Sequence, residues 1–392
     1  TTGGGAFNII TGTNSSVNDD ITGGSGNDTI TFVAGKLTST DKVDGGVGTD
    51  TVALTGGTVV AATNFDGVKN IEVITLTNTS TAVAIITKEE LVAAGATLTL
   101  NANSLTTGVL TFNGAAEADG KFNITGGAAN DIITGGSGND TLTGGSGNDT
   151  IAGGSGDDTL SGNSNDDNFT FAIDTNLTSA DTIDGGSGTD TVTLTGNTAI
   201  TAGDYFDEVK NIEAITFTSR TTGAVTINTK DALVAAGVTL MLTNASNSGV
   251  LTFNGSLETD GGVFNITGGG GADSITGGAG NDIINVNAAG ADNITGGSGA
   301  DTITLNTTSN ARQTVIYSSA SDGAAAGADN GADSILQFDA DANAATDDLI
   351  QINGTLKIAV NDDGDGILDY STSNGADLGN EAIVGGADQE AT

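Results

Sequence analysis

Residues 135–161 read GGSGNDTLT, GGSGNDTIA and GGSGDDTLS, a nine-residue unit repeated with no residue between copies. Gly126–Thr134 (GGAANDIIT) extends the run backward, and Gly162–Thr170 (GNSNDDNFT), a degraded copy, extends it forward. Each unit predicts a six-residue turn and then a three-residue strand. The glycines give the turn its backbone freedom. The middle residue of each strand (Leu142, Ile151, Leu160) is the apolar position expected to point inward and pack on its equivalents. A chain merely rich in Gly and Asp would not hold a nine-residue register with a phased apolar position, which argues against a disordered low-complexity tract.

The unit also stands alone at Gly23–Thr31, Gly45–Ala53 and Gly185–Thr193. A further tandem run comprises Gly268–Thr276, Gly277–Asn285, the looser Asn287–Thr295 and Gly296–Thr304, with weaker echoes at Asn14–Thr22 and Asn330–Phe338. A longer period overlies the short one. Asp41–Thr55 returns as Asp181–Thr195, 140 residues later, and Asn64–Thr77 (NFDGVKNIEVITLT) returns as Tyr205–Thr218 (YFDEVKNIEAITFT). TKEELVAAG at Thr87–Gly95 returns as TKDALVAAG at Thr229–Gly237. The reading is a tandem array of three modules, 1–125, 126–267 and 268–392, packed end to end. Between nonapeptides, Ile71–Thr77, Thr97–Leu100 and Val109–Phe112 alternate as half-buried strands. One short helix per module is expected, at Lys88–Ala94 in the first, with Thr87 as N-cap, Glu90 completing a capping box and Gly95 ending it. The second copy keeps Thr229 and Gly237 but has Ala232 where the box needs an acid.

Composition narrows the chemistry. The 392 residues include 62 Gly and no Pro, Cys, His or Trp. That removes thiol nucleophiles, Ser-His-Asp triads, disulfides and His/Cys metal sites. The net charge of −39 makes nucleic acid an improbable partner, and no apolar run is long enough for a membrane span. No signal-peptide pattern opens the chain; its start at Thr1 and acidic end suggest a processed or partial chain. Of the 49 acidic residues only nine are Glu, and Asp prefers turns and caps to helices. Repulsion among so many aspartates opposes compaction unless something neutralises them.

G-G-x-G-x-D-x-U-x offers backbone carbonyls and one carboxylate per turn. Hard oxygen donors in a flexible cage suit calcium, whereas magnesium demands a tighter octahedron. With these units the sequence resembles the RTX (repeats-in-toxin) family, and the resemblance implies a calcium-binding right-handed parallel β-roll, here alternating with β-rich segments in an all-β chain. It also implies several Ca2+ ions, each between turns one coil apart. The pairs would be Asp131 with Asp149, Asp140 with Asp158, Asp149 with Asp167, Asp273 with Asp292 (stretched by an insertion at Val286) and Asp282 with Asp301. Asp28, Asp50 and Asp190 are further candidates that lack a tandem partner in the sequence. A separate candidate is Asn361–Asp369 (NDDGDGILD), in which Asn361, Asp363 and Asp365 follow the alternating ligand spacing of an EF-hand-type loop. Its twelfth residue is Thr372 rather than Glu, and an acidic hairpin turn explains it equally well.

RTX repeats accompany enzymes, toxins and adhesins alike, so they do not name a function. Catalysis is not expected: nearly every acid sits in a repeated turn, and aromatic residues make up only 4%. Outside the nonapeptides, the NIE-V/A-I-T pattern at Asn70–Thr75 and Asn211–Thr216 is similar to calcium-dependent surface-layer proteins of Gram-negative bacteria. The expectation is therefore an extracellular structural protein on a bacterial surface, exported by type I secretion, with further copies of itself as partners in a filament or lattice. Cell-surface polysaccharide is a second candidate partner. The alternatives are an RTX adhesin, or the calcium-binding module of a type I-secreted enzyme.

Overall fold

The computed structural model describes residues 5–10, 18–33, 36–56, 65–77, 82–172, 176–197, 199–200, 206–218, 221–230, 233–244, 247–286, 290–305, 311–317, 333–336 and 349–352, and the short strands 357–358, 368–369 and 376–377. The chain forms two compact units, Thr1–Thr193 and Leu194–Thr392. In each, consecutive strands go to different sheets while each strand pairs in parallel with the next but one. A chain that does this coils, and the result is an all-β parallel solenoid.

In the first unit one wall runs through Asn8–Ile10, Thr29–Val33, Thr51–Thr55, Val73–Leu76, Thr97–Asn101, Lys121–Thr125, Thr141–Ser146, Thr159–Ser164 and Thr182–Ser187. Its facing strands are Asp20–Ser25, Lys42–Val47 and Val68–Lys69, then Val83–Ile86, Leu110–Asn113, Ile132–Thr134, Thr150–Ala152 and Asn168–Ala172. Strict register stacks one apolar residue per coil: Ile30, Val52, Ile74, Leu100, Ile124, Leu142, Leu160 and Ile183 lie on successive rungs, all buried. On the facing wall the ladder is Ile85, Phe112, Ile133, Ile151 and Phe169. The inward position read from the nonapeptide is thus the rung of the core. Each buried rung contributes roughly 1.5–3 kcal/mol of hydrophobic stabilisation.

The second unit repeats the scheme. Ile215, Leu242, Ile266, Ile284, Ile303 and Ile335 form one ladder, and Ile227, Phe253, Ile275, Ile294, Val315 and Ile350 the other. An edge-on pair, Phe112 with Phe122 at 4.9 Å between ring centroids, recurs as Phe253 with Phe264 at 5.0 Å. The terminal pairings, Ser334–Leu336 with Leu368–Asp369 and Lys357–Ile358 with Ala376–Asp377, are antiparallel.

The expected helix at Lys88–Ala94 does not form; the described residues contain no α-helix. Two turns stand there instead, closed by Leu91 N–H to the Lys88 carbonyl and Ala96 N–H to the Ala93 carbonyl. Neighbouring coils claim the backbone groups a helix would use. Thr87 N–H donates to the Asn113 carbonyl, and the carbonyls of Glu90 and Leu91 accept from Asn70 and Ile71. The Thr87 hydroxyl, the supposed cap, is buried without a hydrogen-bond partner. Local propensity lost to the inter-coil ladder. Gly95, at φ +72°, is the left-handed residue the sequence marked, but it ends a turn rather than a helix. In the second copy, residues 231–232 lie outside the described residues.

Candidate metal centre

Each nonapeptide strand is preceded by its Asp, so stacked strands stack the aspartates. The backbone N–H of one Asp donates to Oδ1 of the Asp one coil later: Asp131 to Asp149 at 2.7 Å, Asp140 to Asp158 and Asp149 to Asp167 both at 2.8 Å. The second unit gives Asp273 to Asp292 and Asp282 to Asp301, each 2.8 Å, the coil lengthened to 19 residues. All five sequence-derived pairs are therefore brought together. All these carboxylates are buried, none more than 2% exposed.

The ladder reaches further than the tandem runs. Asp28 and Asp50, read as lacking tandem partners, are bonded to each other at 2.7 Å, and Asp190 accepts from Asp167 at 2.8 Å. The partners lie outside any tandem run because a solenoid fixes the height of a coil and not its length. Coils of 22 and 23 residues bring the two turns into the same register as coils of 18. For the same reason the sequence reading missed Asp41, Glu72, Asp181 and Asp333, which accept from Asp19, Asp50, Asp158 and Asp301. Asp41 and Asp181 share a signal that reveals them: each closes a Thr-Ser-x-Asp turn, its Oδ2 bonded to the N–H of Thr38 or Thr178. Asn361, Asp363 and Asp365 lie outside the described residues.

The turns come in two states. In the closed state, Oδ2 of the Asp accepts the N–H of the second glycine of its own turn: Asp131 from Gly127, Asp140 from Gly136, Asp273 from Gly269 and Asp282 from Gly278. None of these glycines has a positive φ. In the open state the second residue is left-handed, as at Gly46 (φ +100°), Gly145 (+120°), Gly154 (+104°) and Asn163 (+77°). Its N–H no longer reaches the carboxylate. Oδ2 of Asp50, Asp149, Asp158 and Asp167 is then buried with no hydrogen-bond partner, as is that of Asp28, whose turn has Gly24 at φ +129°. Asp149 Oδ2 rests against Gly144 where a Cβ would stand, so the first glycine of the unit is the cradle of the carboxylate.

A buried acceptor without a donor costs about 1–3 kcal/mol, and more when charged. Burial raises the carboxyls of open and closed turns alike. Burial pushes the carboxyls of Asp149 and Asp158 up to about 7, with the like charges of Asp131 and Asp167 beside the first, and of Asp140, Asp181 and Asp157 beside the second, adding to it. Asp140 and Asp167 rise to about 6 and Asp282 to about 7, again chiefly by burial. Buried carboxylate oxygens that no N–H satisfies, in a glycine-lined turn without bulk, fit a hard divalent cation.

Fold and site together define a parallel β-solenoid with stacked carboxylate turns, consistent with a β-roll. The model of the RTX calcium-binding nonapeptide repeat (4 copies) matches residues 13–31, 123–151, 143–175, 178–207, 265–288 and 288–307. The chain carries RTX-type nonapeptide repeats, calcium-binding motifs of proteins that are typically secreted. The matches leave 32–122 and 208–264 uncovered, so the NIE-bearing segments are not part of what the model recognises. No curated protein sequence matches the chain. Among the described residues no helix is long and apolar enough to cross a membrane, which says nothing about strands.

Proposed function

We propose that this chain is an extracellular structural protein whose calcium-loaded coils assemble with further copies of itself into a surface layer or fibre, reached by type I secretion. The observation that carries the reading is the recurrence, coil after coil, of buried carboxylate oxygens without donors. Asp28, Asp50, Asp149, Asp158 and Asp167 would offer Oδ2 to calcium. Asp131 and Asp140 stand one coil before Asp149 and Asp158 in the same ladders, as Asp273 and Asp282 stand before Asp292 and Asp301, and Asp190 follows Asp167. Bound calcium supplies positive charge to each turn and lowers the cost of packing a chain of net charge −39.

Assembly follows from the physics of a solenoid. A coil with no neighbour presents unpaired strand edges, which proteins cap or use. A contact between such ends is head-to-tail, and a head-to-tail contact that does not close on itself extends into a filament or lattice. Calcium acts as the switch by reducing repulsion between chains. Electron microscopy and light scattering of the purified protein, with calcium and after chelation, test this. Ordered fibres or sheets that disperse on chelation are expected. A calcium-saturated sample that stays a monodisperse monomer at high concentration overturns self-assembly and favours a calcium-binding module of a larger secreted protein.

A further inference from the structure

Outside the nonapeptides, one carboxyl oxygen from each of Glu89, Glu117 and Asp119 lies within 4.8 Å of the other two. Glu89 and Asp119 are exposed, whereas Glu117 is 0% exposed. Oε1 of Glu117 accepts the Gly120 N–H at 3.1 Å, but Oε2 is buried with no hydrogen-bond partner. Glu89 reaches across from the preceding coil, its Oε2 accepting the Ala118 N–H at 3.0 Å. Nothing in the local turn requires an acid at 117 to be buried with one oxygen unsatisfied. The Gly114–Glu117 turn closes through backbone groups, and the Glu117 carbonyl holds the next coil through Ser137 N–H.

We infer that Glu89, Glu117 and Asp119 form a calcium site of a kind distinct from the nonapeptide sites, clamping the Lys88–Leu91 turn to the Gly114–Gly120 turn. A cation at about 2.3–2.6 Å from each ligand spans oxygens at this separation, and a buried monodentate carboxylate with two at the rim leaves room for water and carbonyl oxygens. Burial raises the pKa of Glu117, and the charges of Glu89 and Asp119 beside it add to the rise. The sequence repeats the ligands. Glu258 occupies the equivalent turn, buried, with Oε1 accepting the Gly262 N–H at 3.2 Å, and Asp260 follows two residues on. Asp231 stands where the alignment of TKDALVAAG with TKEELVAAG puts the counterpart of Glu89. The site lies in 32–122, which holds a single isolated nonapeptide, so it would give those coils a cation of their own.

The test is a count of calcium ions on the full chain by native mass spectrometry, with circular dichroism as the control for folding. The double variant Glu89→Gln/Asp119→Asn changes only surface groups and is expected to lose one calcium per chain while remaining β-rich. Glu117→Gln keeps the Oε1 acceptor for Gly120 and is expected to lose the same ion. An unchanged count in the surface double variant, with the β spectrum intact, overturns the site. The nonapeptide ions are counted in the same spectra, so failure here is distinguishable from failure of the calcium-loaded β-roll itself.

Discussion

Residues 135–140 and 144–149 share one hexapeptide, GGSGND, yet fold differently. The first is closed, with Gly136 N–H on its own Asp140; the second is open, with Gly145 left-handed and Asp149 Oδ2 unsatisfied. The cause lies one coil earlier. The closed turn stacks on a β-turn, Gly114–Glu117, to whose last carbonyl Ser137 N–H donates. The open turn stacks on another nonapeptide, Ser146 N–H donating to the Gly127 carbonyl. The other closed turns obey the same rule. Those of Asp131, Asp273 and Asp282 sit on the turns Ala102–Leu105, Asn244–Asn247 and Gly255–Glu258, with Ala128, Gly270 and Ala279 as donors. Within the tandem runs, a nonapeptide is therefore opened by the nonapeptide beneath it, and the first turns of a run close on themselves.

The largest test of that difference is removal of calcium. Open turns retain buried charge without it, so chelation is expected to convert a β-rich chain into a largely disordered one. A circular dichroism spectrum unchanged by excess EDTA would show that every turn is self-sufficient, and the distinction would collapse.

Acid should partly replace the cation. The folded-state pKa values of Asp149 and Asp158, about 7, lie above the unfolded value near 3.9. Protonation therefore favours the folded chain. That stability is fully present below about pH 4 and is lost as the pH rises through 6–7. Metal-free protein moved from pH 7.5 to about 5 should gain β signal, whereas calcium affinity should fall over the same interval as the carboxyls take up protons. A metal-free chain that loses β structure on acidification would contradict this.

The smallest effect is local. Asp149→Asn keeps the Oδ1 acceptor for Asp131 N–H but removes the open carboxylate, so it should cost a bound calcium. Asp131→Asn sets an amide donor against Gly127 N–H and should cost about 1–3 kcal/mol of stability with the calcium count intact. Native mass spectrometry with thermal melts separates the two; equal losses of calcium in both variants would erase the line between open and closed turns.

Much of the architecture was legible because a solenoid core is a one-dimensional problem. The phase of Leu142, Ile151 and Leu160 in the repeat is the phase of the rungs, and the 18-residue spacing of Asp131 and Asp149 is one coil. Reading failed where spacing was not the governing quantity. Asp28 and Asp50 meet across a longer coil, and Thr87–Gly95 satisfies a helix pattern locally while its carbonyls serve Asn70 and Ile71. Glu117 left no signal in the first copy alone. Its return as Glu258, two residues before an Asp and a Gly, was the available hint.

By itself, the sequence determined the all-β repeat, the inward apolar position and the calcium-binding motif with an aspartate at each turn, because each is a property of one nonapeptide and its period. Only the tertiary structure decided which aspartates keep an oxygen free of donors, and which acids outside the repeats converge. Both depend on the backbone of the adjacent coil, whose donors and carbonyls choose between two turn states that the same six residues can adopt.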